Sequence, residues 1–293
     1  MNISYRSFAR FFLFCLAFFV PVFMAAFAQP GRQIMNGRPE LPDLPSALNR
    51  STSFPDEEGD AFQRKIFNAL SYGVQAQMGS SVSNAGDVNG DGFDDVIVGA
   101  RGFNSGTGRA YIYFGGLNMN TVADIVLSGE TTGSLFGNAV SSAGDVNGDG
   151  YDDVLVGAPV YSSTTGRAYI YFGGTNMNNT ADVIFTGAAI SNYFGRSVSA
   201  TGDVNGDGYS DVIVGAYGYS TSAGRAYIYF GGSSMNNVAD VTMTGESASS
   251  FFGWAVSGAG DVNADGYADA LVGAYGFNAS TGKAYIFFGG SSM

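Results

Sequence analysis

Short apolar runs separated by turn-forming residues fill the chain from about residue 66 to its end. The segment 168–172 reads Ala-Tyr-Ile-Tyr-Phe, so alternation places Ala168, Ile170 and Phe172 on one face of a strand and both tyrosines on the other. Because both faces are apolar, we expect the sheet that holds this strand to be covered on both sides. Clusters of Gly, Asn, Asp and Ser bound the apolar runs, as turns between β-strands do.

The whole pattern repeats with a period of 58 residues. One marker, Gly-Asp-Val-Asn, begins at Gly86, Gly144, Gly202 and Gly260. A second marker, GRAYIYFGG or GKAYIFFGG, spans 108–116, 166–174, 224–232 and 282–290. Two independent markers with one period indicate four copies of a single structural unit.

Each repeat contains four apolar runs that predict four strands. In the second repeat these runs cover 138–143, 153–158, 167–172 and 182–186. Four strands per unit, repeated radially, are typical of a β-propeller blade, whereas the repeats of a linear β-solenoid are usually shorter. The sequence therefore predicts an all-β fold, a β-propeller built from 58-residue four-stranded blades.

The last repeat is predicted to be incomplete. Met293 occupies the repeat position after which the earlier units continue into their fourth strand, the position of Met119, Met177 and Met235. Either the array belongs to a larger propeller that this sequence truncates, or residues 66–71 supply the missing strand and close a four-bladed ring. The segment 66–71 matches the repeats weakly, which favours the larger propeller.

The amino-terminal residues 1–28 are predicted to be a secretory signal peptide. Arg6 and Arg10 form its positive region, residues 11–20 its apolar core, and Ala26-Phe27-Ala28 a small-residue cleavage site near Ala28. An uncleaved membrane anchor is the alternative, but the apolar run is short and ends at Pro21. We therefore expect a secreted or extracellular location and no membrane span in the mature chain.

Residues 29–60 hold five of the seven prolines among Gly, Ser and Asn, without hydrophobic periodicity. Such a composition predicts a flexible or extended leader. The predicted organisation is a signal peptide at 1–28, a leader at 29–60 and a propeller at 61–293.

Composition excludes several functions. The chain has no histidine, and its single cysteine, Cys15, lies in the predicted signal peptide, so histidine-based catalysis and zinc or haem sites lack their ligands. A net charge of −12 argues against nucleic acid as a partner. Glycine, at 44 of 293 residues, is in excess because every repeat copies the same turns.

Each repeat carries one acidic loop between its first and second strands, reading DVNGDGFDD, DVNGDGYDD, DVNGDGYSD and DVNADGYAD in order. Alternating carboxylate and amide oxygens on a tight loop suit Ca²⁺, and glycine at loop position 6 permits the turn. The candidate ligands are the side chains at loop positions 1, 3, 5 and 9 and the backbone carbonyl at position 7. These residues are Asp87, Asn89, Asp91, Phe93 and Asp95; Asp145, Asn147, Asp149, Tyr151 and Asp153; Asp203, Asn205, Asp207, Tyr209 and Asp211; and Asp261, Asn263, Asp265, Tyr267 and Asp269.

Comparison of the four copies refines this interpretation. Position 8 changes from Asp94 and Asp152 to Ser210 and Ala268, so no ligand is expected there. Position 4 is glycine in three copies and Ala264 in the last. The loops are not EF-hands, because position 12 is a strand valine instead of glutamate.

Two interpretations of the loops remain: metal sites, or Asx-rich turns without metal. The loops hold 14 of the 25 acidic residues, and such density favours a cation. About four Ca²⁺, one per repeat, would change the net charge of the mature chain from −14 to about −6. Mg²⁺ fits less well because it requires a stricter octahedral geometry.

The repeats resemble the FG-GAP family, whose members include the integrin alpha-chain propeller. The resemblance rests on Phe-Gly before the acidic loop at 136–137, 194–195 and 252–253, and on Gly-Ala-Pro after it at 157–159. It covers roughly residues 66–293 and implies propeller blades, calcium loops at one rim and an extracellular setting. The chain departs from the family pattern at Met78, which replaces the phenylalanine, and at Arg101, Tyr217 and Tyr275, which replace the proline. Family propellers have seven blades, whereas four loops occur here.

Two other repeat positions hold chemically similar residues: one is basic in all four repeats, and the other is aspartate in three. We expect the basic residues to pair with nearby carboxylates instead of forming a ring for an anionic ligand; they are Arg109, Arg167, Arg225 and Lys283. Asp124, Asp182 and Asp240 are expected to form turns.

The sequence therefore predicts a secreted or cell-surface, calcium-binding, non-catalytic propeller that acts as a binding or adhesion module for a protein or glycan ligand. The alternative is the propeller portion of a larger extracellular hydrolase whose catalytic domain lies outside this sequence. Some hydrolases carry FG-GAP repeats beside a catalytic domain.

Overall fold

The computed structural model describes residues 54–55, 61–62 and 75–293, all within one compact unit, Ser51–Met293. Strands β1 (Phe54–Pro55) and β2 (Ala61–Phe62) pair antiparallel. The predicted signal peptide, and the predicted leader apart from residues 54–55, lie outside the described residues.

Four antiparallel sheets follow, one for each repeat, and each has its strands in chain order. The first contains β3 (Met78–Gly86), β4 (Asp95–Ala100), β5 (Arg109–Tyr113) and β6 (Ile125–Ser128). The second contains β7 (Ala139–Gly144), β8 (Asp153–Ala158), β9 (Arg167–Tyr171) and β10 (Val183–Thr186). The third contains β11 (Ser197–Gly202), β12 (Asp211–Ala216), β13 (Arg225–Tyr229) and β14 (Val241–Thr244). The fourth contains β15 (Phe252–Gly260), β16 (Asp269–Ala274) and β17 (Lys283–Phe287).

The predicted all-β fold of propeller blades is confirmed. The four strands of the second repeat lie within one residue of their predicted bounds, and the fourth sheet has three strands among the described residues, as expected for an incomplete repeat. We refer to the four sheets as blades 1 to 4.

A four-residue helical turn joins the second and third strands of each blade: α1 (Phe103–Gly106), α2 (Tyr161–Thr164), α3 (Tyr219–Ser222) and α4 (Phe277–Ser280). Three residues in each have positive φ, for example Ser162 at 47°, Ser163 at 56° and Thr164 at 64°. These segments are therefore tight turns that reverse the chain, not regular helices.

Successive blades share apolar cores. Ala168 and Ile170 of β9 pack against β12 and β13 of blade 3. Tyr169 and Tyr171, on the opposite face of the same strand, pack against β4 and β5 of blade 1. The alternation in 168–172 thus buries both faces of blade 2, as predicted. The first strands of successive blades, β3, β7, β11 and β15, lie side by side.

A phenylalanine fills each junction between blades. Phe136 is fully buried and packs edge-on against Tyr169, with ring centroids 5.3 Å apart. Its backbone forms a parallel bridge with Gly108 of blade 1, and Phe194 and Phe252 form the same bridge with Gly166 and Gly224. Burying such a ring contributes about 1.5–3 kcal/mol, so the Phe-Gly segment fixes each blade to the one before it.

The outward face of blade 4 differs from its counterparts. Ile112, Ile170 and Ile228 are fully buried by the following blade, whereas Ile286 at the same repeat position is 50% exposed. Within the described residues no further blade covers this face. No helix in the described part of the chain is both long and apolar enough to cross a membrane.

Candidate metal-binding loops

The four acidic loops occupy the same place in every blade, between its first and second strands. Loop position 1 follows the end of the first strand directly, and loop position 9 is the first residue of the second strand. The candidate ligands of one loop therefore lie within one short connection, and all four loops lie at the same end of their blades.

In blade 2, the carboxylate at loop position 1 organises the turn. Asp145 Oδ1 accepts hydrogen bonds from the backbone amides of Gly148 (2.6 Å) and Asp149 (3.1 Å), and Oδ2 accepts one from Gly150 (2.9 Å). Side-chain capping of this kind is why Asp favours tight turns.

Positions 3 and 5 are joined to each other. Asn147 Oδ1 accepts a hydrogen bond from the Asp149 amide, and Asn147 Nδ2 donates to Asp149 Oδ2, both at 2.9 Å. Asp149 Oδ1 accepts from the Tyr151 amide at 3.0 Å. The other three loops repeat these contacts between positions 3, 5 and 7.

The side-chain oxygens of positions 1, 3 and 5 are thus gathered on one turn, each facing a backbone or side-chain amide. Across residues 75–293, no three acidic side chains converge as they stand into a group that could hold a metal.

Position 9 has a structural role that the sequence pattern did not reveal. Asp153 is fully buried, and its two oxygens accept hydrogen bonds from the Val146 and Gly173 amides, both at 2.8 Å. The carboxylate therefore connects the acidic loop to the turn after β9. Asp95, Asp211 and Asp269 make the equivalent pair of bonds. A metal-ligand role for position 9 remains a prediction.

Burial raises the pKa of three of these buried carboxyls. Desolvation brings the pKa of Asp153 to about 7; backbone hydrogen bonds from Gly173 and Val146 oppose the rise, and the charges of Asp149 and Asp145 add to it. The pKa of Asp211 is about 7 for the same reasons. Desolvation also raises the pKa of Asp95. Nearby positive charge would favour the ionised form of each group.

Among the described residues, no basic side chain forms a salt bridge with a carboxylate of the acidic loops. In the described part of the chain the salt bridges are Arg167–Glu130 and Lys283–Glu246, and neither involves a loop residue. Within the described structure, the loop carboxylates accept hydrogen bonds from backbone amides and from the side-chain amide at position 3.

The loops of neighbouring blades also contact each other. The Asp152 amide donates to the Asp87 carbonyl oxygen at 3.2 Å, and the Asp87 amide donates to Asp152 Oδ2 at 2.9 Å. The backbone bond recurs in the next two junctions, from the Ser210 amide to Asp145 and from the Ala268 amide to Asp203. Asp152 at position 8 therefore has a partner in the preceding loop.

A second contact between loops involves positions 7 and 4. The rings of Tyr151, Tyr209 and Tyr267 lie over the position-4 glycines of the preceding blade, Gly90, Gly148 and Gly206. Sequence analysis assigned the position-7 residues only a carbonyl role and missed this packing. Ala264 could have indicated this packing from the sequence. It is the one residue at loop position 4 that is not glycine, and no next blade among the described residues places a tyrosine over it.

The other repeated positions follow the predictions in part. Asp124, Asp182 and Asp240 each accept a hydrogen bond at 2.8 Å from a backbone amide ten residues earlier, which confirms them as turn formers. Arg167 and Lys283 pair with carboxylates as expected, whereas Arg109 and Arg225 form no salt bridge with a described residue.

Comparison with protein-family models gives four matches to the FG-GAP repeat, at residues 78–113, 136–171, 194–229 and 252–287. Each match covers the first three strands of one blade and includes its acidic loop. A search of curated proteins found no significant match.

Proposed function

Since the chain is an FG-GAP repeat protein, we propose that it is a secreted or cell-surface β-propeller that binds a protein or glycan ligand and holds structural Ca²⁺ in its acidic loops. The observation that carries the calcium proposal is the set of four equivalent acidic loops, with which no basic side chain of the described residues forms a salt bridge.

The donor chemistry of the loops fits Ca²⁺. In blade 2 the ion would be held by the side chains of Asp145, Asn147, Asp149 and Asp153 and by the Tyr151 carbonyl oxygen, all hard oxygen donors of the kind Ca²⁺ prefers. The corresponding residues of the other three loops would hold one ion each. A bound Ca²⁺ would supply positive charge at a site where carboxylates are crowded and partly desolvated.

Bound calcium would act on stability more than on chemistry. Each loop fixes the connection between the first two strands of its blade and touches the next loop, so an ion that orders one loop also supports the adjoining junction. A ligand that binds only the folded state stabilises that state by RT ln(1 + [L]/Kd), which is about 2.7 kcal/mol per site at a hundredfold excess over Kd.

Thermal unfolding in millimolar calcium and in excess chelator tests the metal. We expect a clearly higher Tm with calcium, and titration calorimetry should give about four sites per chain. Magnesium at the same concentration serves as the comparison cation and should stabilise less. Equal midpoints in calcium and chelator would overturn the proposal.

Loop 1 offers a matched pair of variants. Asp91→Asn removes a proposed ligand at position 5, whereas Asp94→Asn removes a carboxylate of the same loop at position 8, where no ligand is proposed. Asp91→Asn should abolish one of the four sites, and Asp94→Asn should keep all four. If both variants titrate alike, the loss of affinity comes from general charge and not from coordination.

The proposal of a binding or adhesion role rests on the FG-GAP repeats, on their resemblance to integrin alpha chains and on the predicted signal peptide. Immobilised mature protein would be tested for retention of cells and of arrayed glycans, with calcium and with chelator. Calcium-dependent retention supports the role, and its absence on cells and glycans alike contradicts it.

A further inference from the structure

Two of the three junctions between blades are bridged by an ion pair. Between blades 1 and 2, Arg167 Nη1 donates to both oxygens of Glu130, at 2.9 and 2.8 Å. Between blades 3 and 4, Lys283 Nζ donates to both oxygens of Glu246, at 3.0 and 2.9 Å. The glutamate lies in the loop after the outer strand of one blade, and the basic residue begins the third strand of the next.

A tyrosine completes both arrangements. The Tyr285 hydroxyl donates to Glu246 Oε1 at 2.9 Å. The Tyr169 hydroxyl lies close to Glu130 and Arg167 at the corresponding position. The repeated motif therefore consists of a glutamate, a basic residue and a tyrosine two positions after the basic residue.

The junction between blades 2 and 3 has the same basic residue and tyrosine but no acid. Ala188 occupies the glutamate position and is exposed. The Arg225 guanidinium lies 3.6 Å above the ring centre of Tyr219, and its Nε donates to Thr244 Oγ1 at 2.9 Å. The buried Tyr227 hydroxyl lies beside this guanidinium.

This junction is therefore organised for a carboxylate that none of the described residues supplies. The contacts with Tyr219 and Thr244 orient the guanidinium before any ligand arrives, so little conformational entropy is lost on binding. Planar guanidinium groups bind carboxylates through charge-assisted hydrogen bonds. The same loop also differs from its counterparts in being apolar, Ala-Ala-Ile at 188–190, and Ile190 is 68% exposed.

We propose that the junction between blades 2 and 3 is a binding site for an external carboxylate, which Arg225 binds in the place that Glu130 and Glu246 fill at the other junctions. An apolar group beside the carboxylate would lie on the loop that carries Ile190. The ligand class is an organic carboxylate, either free or borne on the acidic side chain of a partner. The site is independent of the calcium proposal, because it involves no loop acid.

Glutarate, with the neutral isostere glutaramide as control, tests the site. Nuclear magnetic resonance of protein labelled with ¹⁵N-arginine would follow the Nε–H signals of Arg225 and Arg167 at constant ionic strength. We expect a saturable shift of Arg225 with millimolar glutarate, no shift with glutaramide, and little response from Arg167, whose carboxylate partner is already present.

Two substitutions test the site by adding the glutamate to the junction that lacks it and removing it from one that has it. Ala188→Glu supplies the missing acid and should weaken glutarate binding at Arg225 by at least about tenfold, a change of about 1.4 kcal/mol. Glu130→Ala should make Arg167 respond to glutarate as Arg225 does. Both changes lie at exposed or half-exposed positions, and an unchanged circular dichroism spectrum would verify folding. An unresponsive Arg225, or equal responses of the two arginines in the unmodified protein, overturns the proposal.

A capped Leu-Glu dipeptide distinguishes the two sources of carboxylate. If the dipeptide binds more tightly than glutarate and Ile190→Ser removes the difference, the site fits an acidic side chain with an apolar neighbour. Equal affinities indicate a site for a free carboxylate. Failure of both probes to shift Arg225 rejects the site altogether.

Discussion

The ring of Tyr209 in blade 3 lies across Gly148 in blade 2, so closely that a β-carbon on Gly148 would be 2.5 Å from Tyr209 Cε1. Tyr267 covers Gly206 at the same distance. The glycine at loop position 4 is therefore required by the next blade as well as by its own turn. Each tyrosine ring therefore packs its own acidic loop against the acidic loop of the preceding blade.

Gly148→Ala should destabilise the protein more than Gly150→Ala. Both residues have positive φ, at 78° and 89°, but a β-carbon at Gly150 would meet no atom within 4 Å. We expect Gly150→Ala to cost about 1–2 kcal/mol for the backbone alone, and Gly148→Ala a further 1–3 kcal/mol or so for the clash. Thermal unfolding in chelator would measure both.

Ala264 provides the control for this comparison. It has φ of 61° and no following tyrosine among the described residues, so Ala264→Gly should change Tm by no more than a few degrees. Equal losses for Gly148→Ala and Gly150→Ala would show that Tyr209 does not constrain position 4.

Without calcium, the protein should be more stable in mild acid than at slightly alkaline pH. The pKa values of Asp153 and Asp211 are about 7 in the folded protein, against an ordinary value of 3.8. The folded state therefore binds more protons than the unfolded chain between about pH 4 and 7, and stability falls as pH rises through this window. In chelator we expect a higher Tm at pH 5.5 than at pH 7.5.

Calcium should reverse that dependence, because protons and the metal compete for the carboxylates. Stabilisation by calcium is then larger at pH 7.5 than at pH 5.5. Asp182→Asn serves as the control, since Asp182 is an exposed carboxylate outside the loops and should leave the pH profile unchanged. A flat profile in chelator would contradict the raised pKa values.

Phe194→Ala should weaken the junction between blades 2 and 3 severely. The ring is 1% exposed and packs against Tyr227 and Tyr229, with centroids 5.5 and 6.4 Å away. Truncating such a ring leaves a cavity and costs about 3–5 kcal/mol. Phe93→Ala removes a ring that is 42% exposed and should cost less than about 1 kcal/mol. Similar thermal unfolding midpoints for the two variants would show that Phe194 does not stabilise the junction between blades 2 and 3.

One substitution at a single repeat position should have opposite outcomes in two blades. Ile228→Lys places a charge on a fully buried side chain and should prevent folding of that part of the array, because an unpaired buried charge is too costly. Ile286→Lys changes a side chain that is 50% exposed and should be tolerated. Circular dichroism of the two purified variants compares them, and unfolding of Ile286→Lys would show that this face is covered in solution.

Sequence periodicity was sufficient to predict the blades. The strand Asp153–Ala158 begins and ends where the apolar run predicted, and the alternation in 168–172 predicted burial on both faces. These features are local, because side-chain alternation depends only on neighbours in one strand.

Contacts between separate loops, within a repeat or between repeats, were not predictable from the sequence pattern. Asp153 was predicted from its recurrence as a metal ligand, and only the structure shows that its oxygens accept bonds from Val146 and Gly173. The packing of Tyr209 on Gly148 joins two loops of different blades, which periodicity aligns but does not bring together. The sequence shows that Ala188 stands at the repeat position of Glu130. Only the structure shows that Glu130 pairs with Arg167, and therefore that Arg225 lacks the equivalent partner at Ala188.

The exposed face of blade 4 should determine which blade unfolds first. In a row of units stabilised by their nearest neighbours, an end unit with one interface opens at a lower free energy than the units flanked on both sides. Blade 4 has three strands among the described residues and an exposed outer face, whereas Tyr111 and Tyr113 of blade 1 are buried, so local opening should begin in blade 4. Trp254, the only tryptophan in the chain, lies in its first strand and would report this fraying by fluorescence before the other blades unfold.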